Sequence, residues 1–401
     1  MGYNSGVSMQ RKRSLLFWIW LMMAVAYLDR VNITIAGPTI STALHLSPRA
    51  FGLVLSSFTL GYALMQVPGG YLADRFGARG ILTAALALWS IFTAATGRAW
   101  SMASMVGIRV LFGAGEGLEN GAQFKLIADH FDSRERSTAN ALFLTALAVG
   151  PAVAAPLTSW LIGREGWRTA FIVYAVVGVI VAGLLYRFLP ESAVKKDPGE
   201  ASTGRWADAL GHPRLWLAFA AYLFFNVAFW GFIGWMPSYL AAERHIDLKH
   251  LGMIASIPYL CGFVGMITLG RLGTLSAYRW RPLLVAGGYL LAGAGLYATF
   301  AATRVPACIA GLSASAFFLY GGFGPFWATA IDAMPENLRG SLSGFVNFGG
   351  QIGGFVAPIV IGDLVERTHS YTPGFLFMIA ALVAAAVSLA VMQRVEALGN
   401  R

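Results

Sequence analysis

The sequence predicts an all-α membrane protein with twelve transmembrane helices in two pseudo-symmetric six-helix bundles. Three observations support this fold class: an apolar composition, twelve apolar stretches of spanning length, and a polar segment that divides them six and six. The 401 residues are 57% hydrophobic and 12% charged, with a mean hydropathy of +0.63. Soluble domains carry about 25% charged residues, so a soluble fold is excluded.

Each apolar stretch is long enough to be one membrane span, because a bilayer core of about 30 Å is crossed by about 20 helical residues. Backbone groups in lipid must be hydrogen-bonded internally, so these spans are helices rather than open strands. We number them spans 1 to 12, at residues 14–37, 50–73, 80–97, 102–127, 138–162, 167–189, 214–240, 250–270, 281–302, 305–331, 341–365 and 371–393.

The net charge of +10 lies mostly in short connections between spans, which argues against a nucleic-acid partner. Most of the 29 Lys and Arg residues fall in alternate connections, which predicts that both termini are cytoplasmic. The first span is too long for a cleavable signal peptide. Cys261 and Cys308 lie in apolar stretches, so neither a disulfide framework nor a metal site is expected.

The polar segment predicts three parts: an N-terminal six-helix bundle over 1–189, a central cytoplasmic loop over 190–213, and a C-terminal six-helix bundle over 214–401. The two halves also share short patterns at offsets of 200 and 203 residues. Each match alone is compatible with chance, but together they indicate a parallel repeat with a mid-membrane site and alternating access. The matched sets are Gly70 and Arg79 with Gly270 and Arg279, then Asp129, Arg136 and Gly150 with Asp332, Arg339 and Gly353.

Charged residues inside the spans are the main functional signal. Span 1 contains Asp29 and Arg30 side by side, and span 4 contains Arg109, Glu116 and Glu119. A charge near the bilayer centre costs about 2.5–3.5 kcal/mol on insertion scales, so such groups face a protein interior or a watery cavity. The pattern predicts a carrier of a charged substrate or ion. No nucleophile–base set or metal cluster suggests an enzyme.

The chemistry of these side chains suggests their roles. The planar guanidinium of Arg30 fits a substrate carboxylate, although it alternatively pairs with Asp29 or with an acid of a neighbouring helix. Asp29 and Glu116 are the candidate proton carriers, with a permanent ion pair as the alternative for Glu116. Arg109 lies two turns before Glu116 on the same helix face and is a candidate ion-pair residue. Glu119 is either a gating residue or an acid facing the cytoplasmic half.

The loop after span 2 resembles a signature of the major facilitator superfamily. It reads Gly70-Tyr-Leu-Ala-Asp74-Arg-Phe-Gly77-Ala-Arg79. The resemblance implies that Asp74 and Arg79 belong to a cytoplasmic charge clasp that holds one conformational state. In the second half, Thr274 stands where the repeat would place an acid, so the second clasp is expected to be weakened or absent.

Further motifs resemble the anion:cation symporter branch of that superfamily, which includes hexuronate, galactonate, tartrate and phthalate permeases and sialic-acid and vesicular glutamate carriers. The resemblance implies that Arg30 contacts the substrate and that Tyr27, Tyr62, Trp327 and Gln351 line its pocket, with Asn347 a weaker candidate. Plain packing is the alternative for the aromatic residues. The motifs are Tyr27-x-Asp29-Arg30-x-Asn32, Gly61-Tyr62-x-x-x-Gln66-x-Pro68-Gly69, Arg109-x-x-x-Gly113-x-Gly115-Glu116-Gly117, Gly166-Trp167-Arg168, Trp235-x-Pro237-Ser238-Tyr239 and Asn347-x-x-Gly350-Gln351-x-x-Gly354.

The chain also departs from that branch. Leu118 and Gly121 replace the prolines that usually follow the Glu-Gly of span 4, and Glu119 is an added acid. Leu147 stands near a position where carriers of sugar acids often have a polar amide, which speaks against a polyhydroxylated substrate. Gly150-Pro151 resembles a motif of drug:proton antiporters.

We therefore expect a monomeric, proton-coupled symporter that imports a small organic anion through a bacterial inner membrane. The proton is the expected coupling ion, and no cofactor, metal or nucleic acid is expected. A proton antiporter that exports a drug or metabolite is the main alternative, and a receptor that binds without transport is a further one.

Overall fold

The computed structural model describes residues 9–131, 133–191, 211–276, 280–332, 334 and 339–399, and this part of the chain contains helices and no strands. Residues 192–210, most of the predicted central loop, lie outside it. Eight spans are single helices: Met9–Ile35 for span 1, Pro48–Phe76 for span 2, Ala78–Thr96 for span 3, Pro213–Ala242 for span 7, Leu248–Leu275 for span 8, Arg281–Ala301 for span 9, Arg339–Thr368 for span 11 and Thr372–Gly399 for span 12.

The other spans are broken or joined. Span 4 consists of two helices, Met102–Gly117 and Glu119–His130. Ser133–Leu144 and the first part of Ala146–Phe188 form span 5, and the rest of that helix forms span 6. Span 10 is Val305–Gly321 followed by Phe323–Asp332, and a short helix, Gly37–Leu44, follows span 1.

Among the described residues, ten helical stretches are long and apolar enough to cross a membrane, and they correspond to eleven of the twelve predicted spans. One stretch, Thr138–Phe188, holds both span 5 and span 6. The break between them is Gly166, whose φ of +78° is accessible to glycine without strain. Span 4 is not one of these stretches, because its charged side chains lower its mean hydropathy. It is nevertheless helical on both sides of Leu118.

Local capping fixes where several helices begin. Ser101 and Ser104 form a reciprocal capping box at the start of span 4. Asp247 accepts a hydrogen bond from the backbone N–H of His250 at the start of span 8, which lowers the pKa of the Asp247 carboxyl. Because the folded carboxyl has the lower pKa, its stabilising effect is present above the ordinary Asp pKa. The effect is lost as the pH falls through the folded value.

The helices divide into two compact units. Unit 1 comprises Met1–His45 and Ser57–Pro198, and unit 2 comprises Leu46–Ser56 and Gly199–Arg401.

Glycines allow spans 2 and 4 to approach closely within unit 1. A Cβ on Gly61 would overlap the carbonyl oxygen of Val110, and one on Gly113 would overlap that of Phe58. A Cβ on Gly117 would lie 2.5 Å from the carbonyl oxygen of Tyr62. Small residues at such interfaces let helix backbones pack together in a membrane. This contact holds the charged face of span 4 beside the rings of span 2.

Glycines play the same part between spans 7 and 11 in unit 2. The four glycines around Gln351 each have a span 7 residue where a Cβ would project, so they serve close packing. Gly349 faces Phe219, Gly350 faces Tyr222, Gly353 faces Leu223 and Gly354 faces Trp230.

We expect Gly113→Ala to destabilise the protein, because its Cβ would overlap a backbone oxygen that cannot rotate away. The expected loss is about 1–3 kcal/mol, read as a lower melting temperature in detergent. Gly107→Ala in the same helix is the control, since nothing lies within 4 Å of its Cβ position. Equal melting temperatures for the two variants would contradict the packing argument.

Candidate functional site: a buried charge cluster in unit 1

Five charged side chains are buried together in unit 1. They are Asp29 and Arg30 of span 1 and Arg109, Glu116 and Glu119 of span 4, with exposed fractions of 7% or less. We call these five residues the charge cluster. Three are acids and two are guanidinium groups, so the fully ionised cluster carries one net negative charge.

Arg30 holds the two halves of span 4 to span 1. Its Nε donates a 2.6 Å hydrogen bond to Oε1 of Glu116, and its Nη2 lies 3.6 Å from Oε1 of Glu119. The helix break at Leu118 lies between these two glutamates. Arg30 thus pairs with acids of a neighbouring helix, as in the alternative left open by the sequence.

Aromatic rings surround the Arg30 guanidinium. Its central carbon lies 4.5 Å from the ring centre of Tyr27, 5.2 Å from that of Phe58 and 4.9 Å from that of Tyr62. Such faces attract a cation by about 0.5–2 kcal/mol each, more when water is excluded. The Nδ2 of Asn120 donates to the Tyr62 hydroxyl. Tyr27 and Tyr62 thus both contact Arg30, and their role in lining a substrate pocket stays a prediction.

Asp29 occupies another side of the cluster. Its Oδ1 accepts a 3.3 Å hydrogen bond from Nδ2 of Asn32, while its buried Oδ2 has no hydrogen-bond partner among the described residues. Arg109 and Glu116 lie within electrostatic range of this carboxyl, and Thr93 of span 3 faces it. A carboxyl with an unsatisfied oxygen is able to gain a proton without breaking a hydrogen bond.

Arg109 is buried without a close acid. Its guanidinium carbon lies 4.4 Å from the ring centre of Phe112 and 5.3 Å from that of Phe58. Within the described residues, no carboxylate lies within 4 Å of it and its Nε lacks a hydrogen-bond partner. It acts on Glu116 and Asp29 through space rather than by direct contact.

Glu119 is wholly buried and is joined to Gln123. The Gln123 Nε2 donates a 3.2 Å hydrogen bond to Oε2 of Glu119. The sequence analysis did not single out Phe58, Asn120 or Gln123. The signal for two of them was helical spacing, because Phe58 precedes Tyr62 and Gln123 follows Glu119 by four residues.

The residues predicted to form a clasp do form ion pairs within unit 1. Lys125 Nζ lies 2.7 Å from Oδ1 of Asp74, and Arg79 pairs with Glu191. These contacts join the ends of spans 2 and 4 and of spans 3 and 6. The partners Lys125 and Glu191 were not predicted as partners, since they come from other helices.

Unit 2 has a connection of its own where a weakened clasp was expected. Thr274 donates only to the Gly270 carbonyl in its own helix. Arg281 at the start of span 9 donates to the Gly273 carbonyl of span 8, and its Nη1 lies 3.0 Å from Oδ2 of Asp332 at the end of span 10. Thr274 thus takes no part in the ion pair of Arg281 with Asp332, which the sequence did not predict.

The predicted substrate residues of the C-terminal half lie in unit 2. Trp327 is half-buried, and its ring centre lies 5.0 Å from that of Tyr222 in an edge-to-face contact. Asn347 and Gln351 are also half-buried, and neither has a side-chain hydrogen bond within the described part of the chain. Their contact with a substrate stays a prediction.

Gly150, the residue that suggested an antiporter, packs against span 1. A Cβ there would lie 2.8 Å from the Ala24 carbonyl oxygen and 2.9 Å from Cβ of Tyr27. The glycine is explained by this close approach. No group of three or more His, Cys, Asp and Glu residues in the described ranges is placed to hold a metal ion.

Comparison with known proteins identifies the family. A family model described as Major Facilitator Superfamily matches residues 19–358. The chain belongs to the major facilitator superfamily. A solved structure of a bacterial homolog to the human lysosomal transporter Spinster, in an inward-facing and unoccupied conformation, has a TM-score of 0.78 at 19% identity and covers 97% of this chain and 98% of its own. At that identity the likeness establishes the fold.

Several relatives with curated descriptions align with this chain over nearly their whole length. The hexuronate transporter of Bacillus subtilis (strain 168) is 30% identical, over 96% of this chain and 95% of the relative. A probable galactarate/D-glucarate transporter of Escherichia coli (strain K12) is 31% identical, over 91% and 90%. A probable sulfoacetate transporter of Cupriavidus necator is 32% identical, over 90% and 89%.

These relatives confirm the resemblance to sugar-acid permeases. The superfamily and its relatives here are membrane transporters, so this chain is a multi-pass membrane transporter and not an enzyme.

We expect Phe58→Leu to weaken the charge cluster, because it removes the ring face beside both guanidinium groups. The free energy of unfolding should fall by about 1–2 kcal/mol beyond the effect of lost packing, measured by thermal unfolding in detergent. Phe143→Leu is the control, since Phe143 is a buried ring of unit 1 that packs against the ring of Phe124 and contacts no cation among the described residues. An equal loss in both variants would show that packing alone accounts for Phe58.

Proposed function

We propose that this transporter is a proton-coupled symporter that imports a small organic anion across a bacterial inner membrane. It works by alternating access as a monomer, with both termini in the cytoplasm. The proposal rests mainly on the buried Arg30–Glu116 hydrogen bond of 2.6 Å. It pairs a guanidinium, which is able to bind a substrate carboxylate, with a carboxylate, which is able to bind a proton.

The substrate class is supported by the names of the relatives. Hexuronate, galactarate, D-glucarate and sulfoacetate are all small organic acids with at least one carboxylate. Arg30 is the proposed carboxylate-binding residue, because guanidinium stays charged and presents paired N–H donors. Tyr27, Tyr62, Trp327, Asn347 and Gln351 are the proposed residues that orient the rest of the anion.

Coupling follows from competition for Arg30. An incoming carboxylate takes the donors that Glu116 now holds, and the displaced Glu116 carboxylate would then be a buried charge without its hydrogen-bonded partner. Breaking a buried pair in this way costs about 3–5 kcal/mol. A proton on Glu116 removes that penalty, so the anion and the proton each favour the binding of the other.

Asp29 is the second proposed proton carrier. Its unsatisfied Oδ2 provides a site for the proton, and Arg109 within electrostatic range stabilises the carboxylate after the proton leaves. The Asp74–Lys125 and Arg79–Glu191 pairs are the proposed gating contacts, which break and re-form as access alternates.

Leu147 bears on which acid is carried. It is buried in unit 1, and the resemblance places a polar amide near this position in carriers of sugar acids. Within the proposed class, this favours an acid with few hydroxyl groups. A binding screen that ranks sulfoacetate above D-glucarate and D-glucuronate supports this preference, and the opposite ranking removes it.

We expect Arg30→Ala to abolish binding of the anion selected by that screen. Losing a buried charged hydrogen-bond partner costs about 2–5 kcal/mol, which is at least about 30-fold in Kd. Arg98→Ala, which removes an exposed cation between spans 3 and 4, is the control and should bind normally. Wild-type affinity in Arg30→Ala would refute the assignment of Arg30.

We expect Glu116→Gln to keep exchange of labelled for unlabelled anion while losing accumulation driven by a pH gradient in proteoliposomes. The neutral amide mimics the protonated acid and has no proton to release. Glu165→Gln, which changes an exposed acid between spans 5 and 6, should retain both activities. If Glu116→Gln lost exchange and accumulation to the same degree, Glu116 would have no coupling role.

A further inference from the structure

We propose that Glu119 binds a proton of its own whenever Arg30 transfers to the anion, in addition to the proton proposed for Glu116. The inference rests on the proposed function and extends it to the number of protons that move with each anion. Glu119 thereby becomes a coupling residue particular to the Leu118-Glu119 sequence of this chain.

The first step is the position of Glu119. Its side chain is 0% exposed, and its Oε1 lies 3.6 Å from Nη2 of Arg30 without a hydrogen bond. Glu116 takes the closer Nε of the same guanidinium. One cation therefore serves two buried carboxyl groups.

The second step is the set of groups that face Glu119. From span 1 these are Arg30 and Tyr27, from span 2 Tyr62, from the first helix of span 4 Glu116, and from its own helix Gln123. Arg109 acts on Glu116 and Asp29 but is not among the groups that act on Glu119. Within the described residues, Arg30 is thus the cation on which an ionised Glu119 depends.

The third step is what happens when an anion binds Arg30. Glu116 and Asp29 keep Arg109 within electrostatic range, whereas Glu119 is left beside a second carboxyl and two aromatic rings. A buried carboxylate without a cation is strongly disfavoured against the neutral acid. A proton from the water that enters with the anion converts Glu119 to its acid form, and the proton leaves when Arg30 returns.

Gln123 is placed to accept this change. Its Nε2 now donates to Oε2 of Glu119, and its Oε1 is buried without a hydrogen-bond partner among the described residues. After a half-turn of the amide, the same Oε1 accepts from the O–H of a protonated Glu119. The unsatisfied oxygen thus gains a partner in the protonated state, which makes Gln123 a positioning residue.

The first experiment counts protons. Proton uptake on binding of sulfoacetate, D-glucarate or D-glucuronate to the purified protein is measured by calorimetry in buffers of different ionisation enthalpy. Glu119→Gln should lower the uptake by about one proton per anion, and Glu165→Gln should leave it unchanged. Glu119→Asp, which keeps the carboxyl, should restore it. An unchanged count in Glu119→Gln would overturn the proposal.

The second experiment needs no anion. Arg30→Gln removes the cation permanently, so Glu119 should be protonated near neutral pH in that variant. Infrared spectra should show a carboxylic-acid C=O band in Arg30→Gln that is smaller in the double variant Arg30→Gln, Glu119→Gln. Equal bands in the two variants would overturn the role of Glu119.

The outcomes separate the two proposals. If the wild type transports none of the anions with protons, the symport proposal fails whatever the infrared spectra show. If the wild type takes up protons with its anion and Glu119→Gln takes up the same number, symport stands and the inference about Glu119 fails.

Discussion

The buried hydrogen bond between Arg30 and Glu116 is the constraint on which the rest of the site depends. A guanidinium and a carboxylate are both costly in a membrane helix, and each is retained here because the other is 2.6 Å away. Any ligand that binds Arg30 through these donors must replace this hydrogen bond. The displaced Glu116 carboxylate must then be neutralised or stabilised in another way. In the proposed symport, substrate binding and proton binding are therefore linked by the energy of one pair, without a separate signalling path between them.

The packing of spans 2 and 4 is what makes that pair rigid. Gly61 and Gly113 bring the two backbones together so closely that the rings of Phe58 and Tyr62 cover the guanidinium. A looser interface would admit water, and water would weaken every charge interaction in the cluster. The glycines thus influence the chemistry of the site through the distance between helices.

The sequence predicted most of the fold but only part of the site, and there is a physical reason for each outcome. Hydropathy located the spans because the cost of exposing polar groups to lipid acts on each helix separately. The same cost identified Asp29, Arg30 and Glu116. Which acid pairs with which cation was not predictable, because helix rotation and the break at Leu118 decide it. Phe58 and Arg281 were missed for that reason, since their partners come from other helices. Gln123 was missed although it follows its partner Glu119 by one turn of the same helix.

The ion pairs of this protein differ in the free energy needed to separate them. This difference supports the separate roles that we propose for them. Asp74 is 64% exposed in its pair with Lys125, and Glu191 is 72% exposed in its pair with Arg79. Exposed pairs contribute about 0–1 kcal/mol, because water readily takes the place of the cation beside an exposed carboxylate. Under the proposed function, such contacts are suited to separate and re-form in each cycle but too weak to enforce a proton count. The pair of Arg30 with Glu116, at 6% and 0% exposure, is shielded from solvent. In the proposed cycle, only a proton or another anion is able to replace a partner of this pair, which places the control of stoichiometry in the charge cluster and not at the proposed gating contacts.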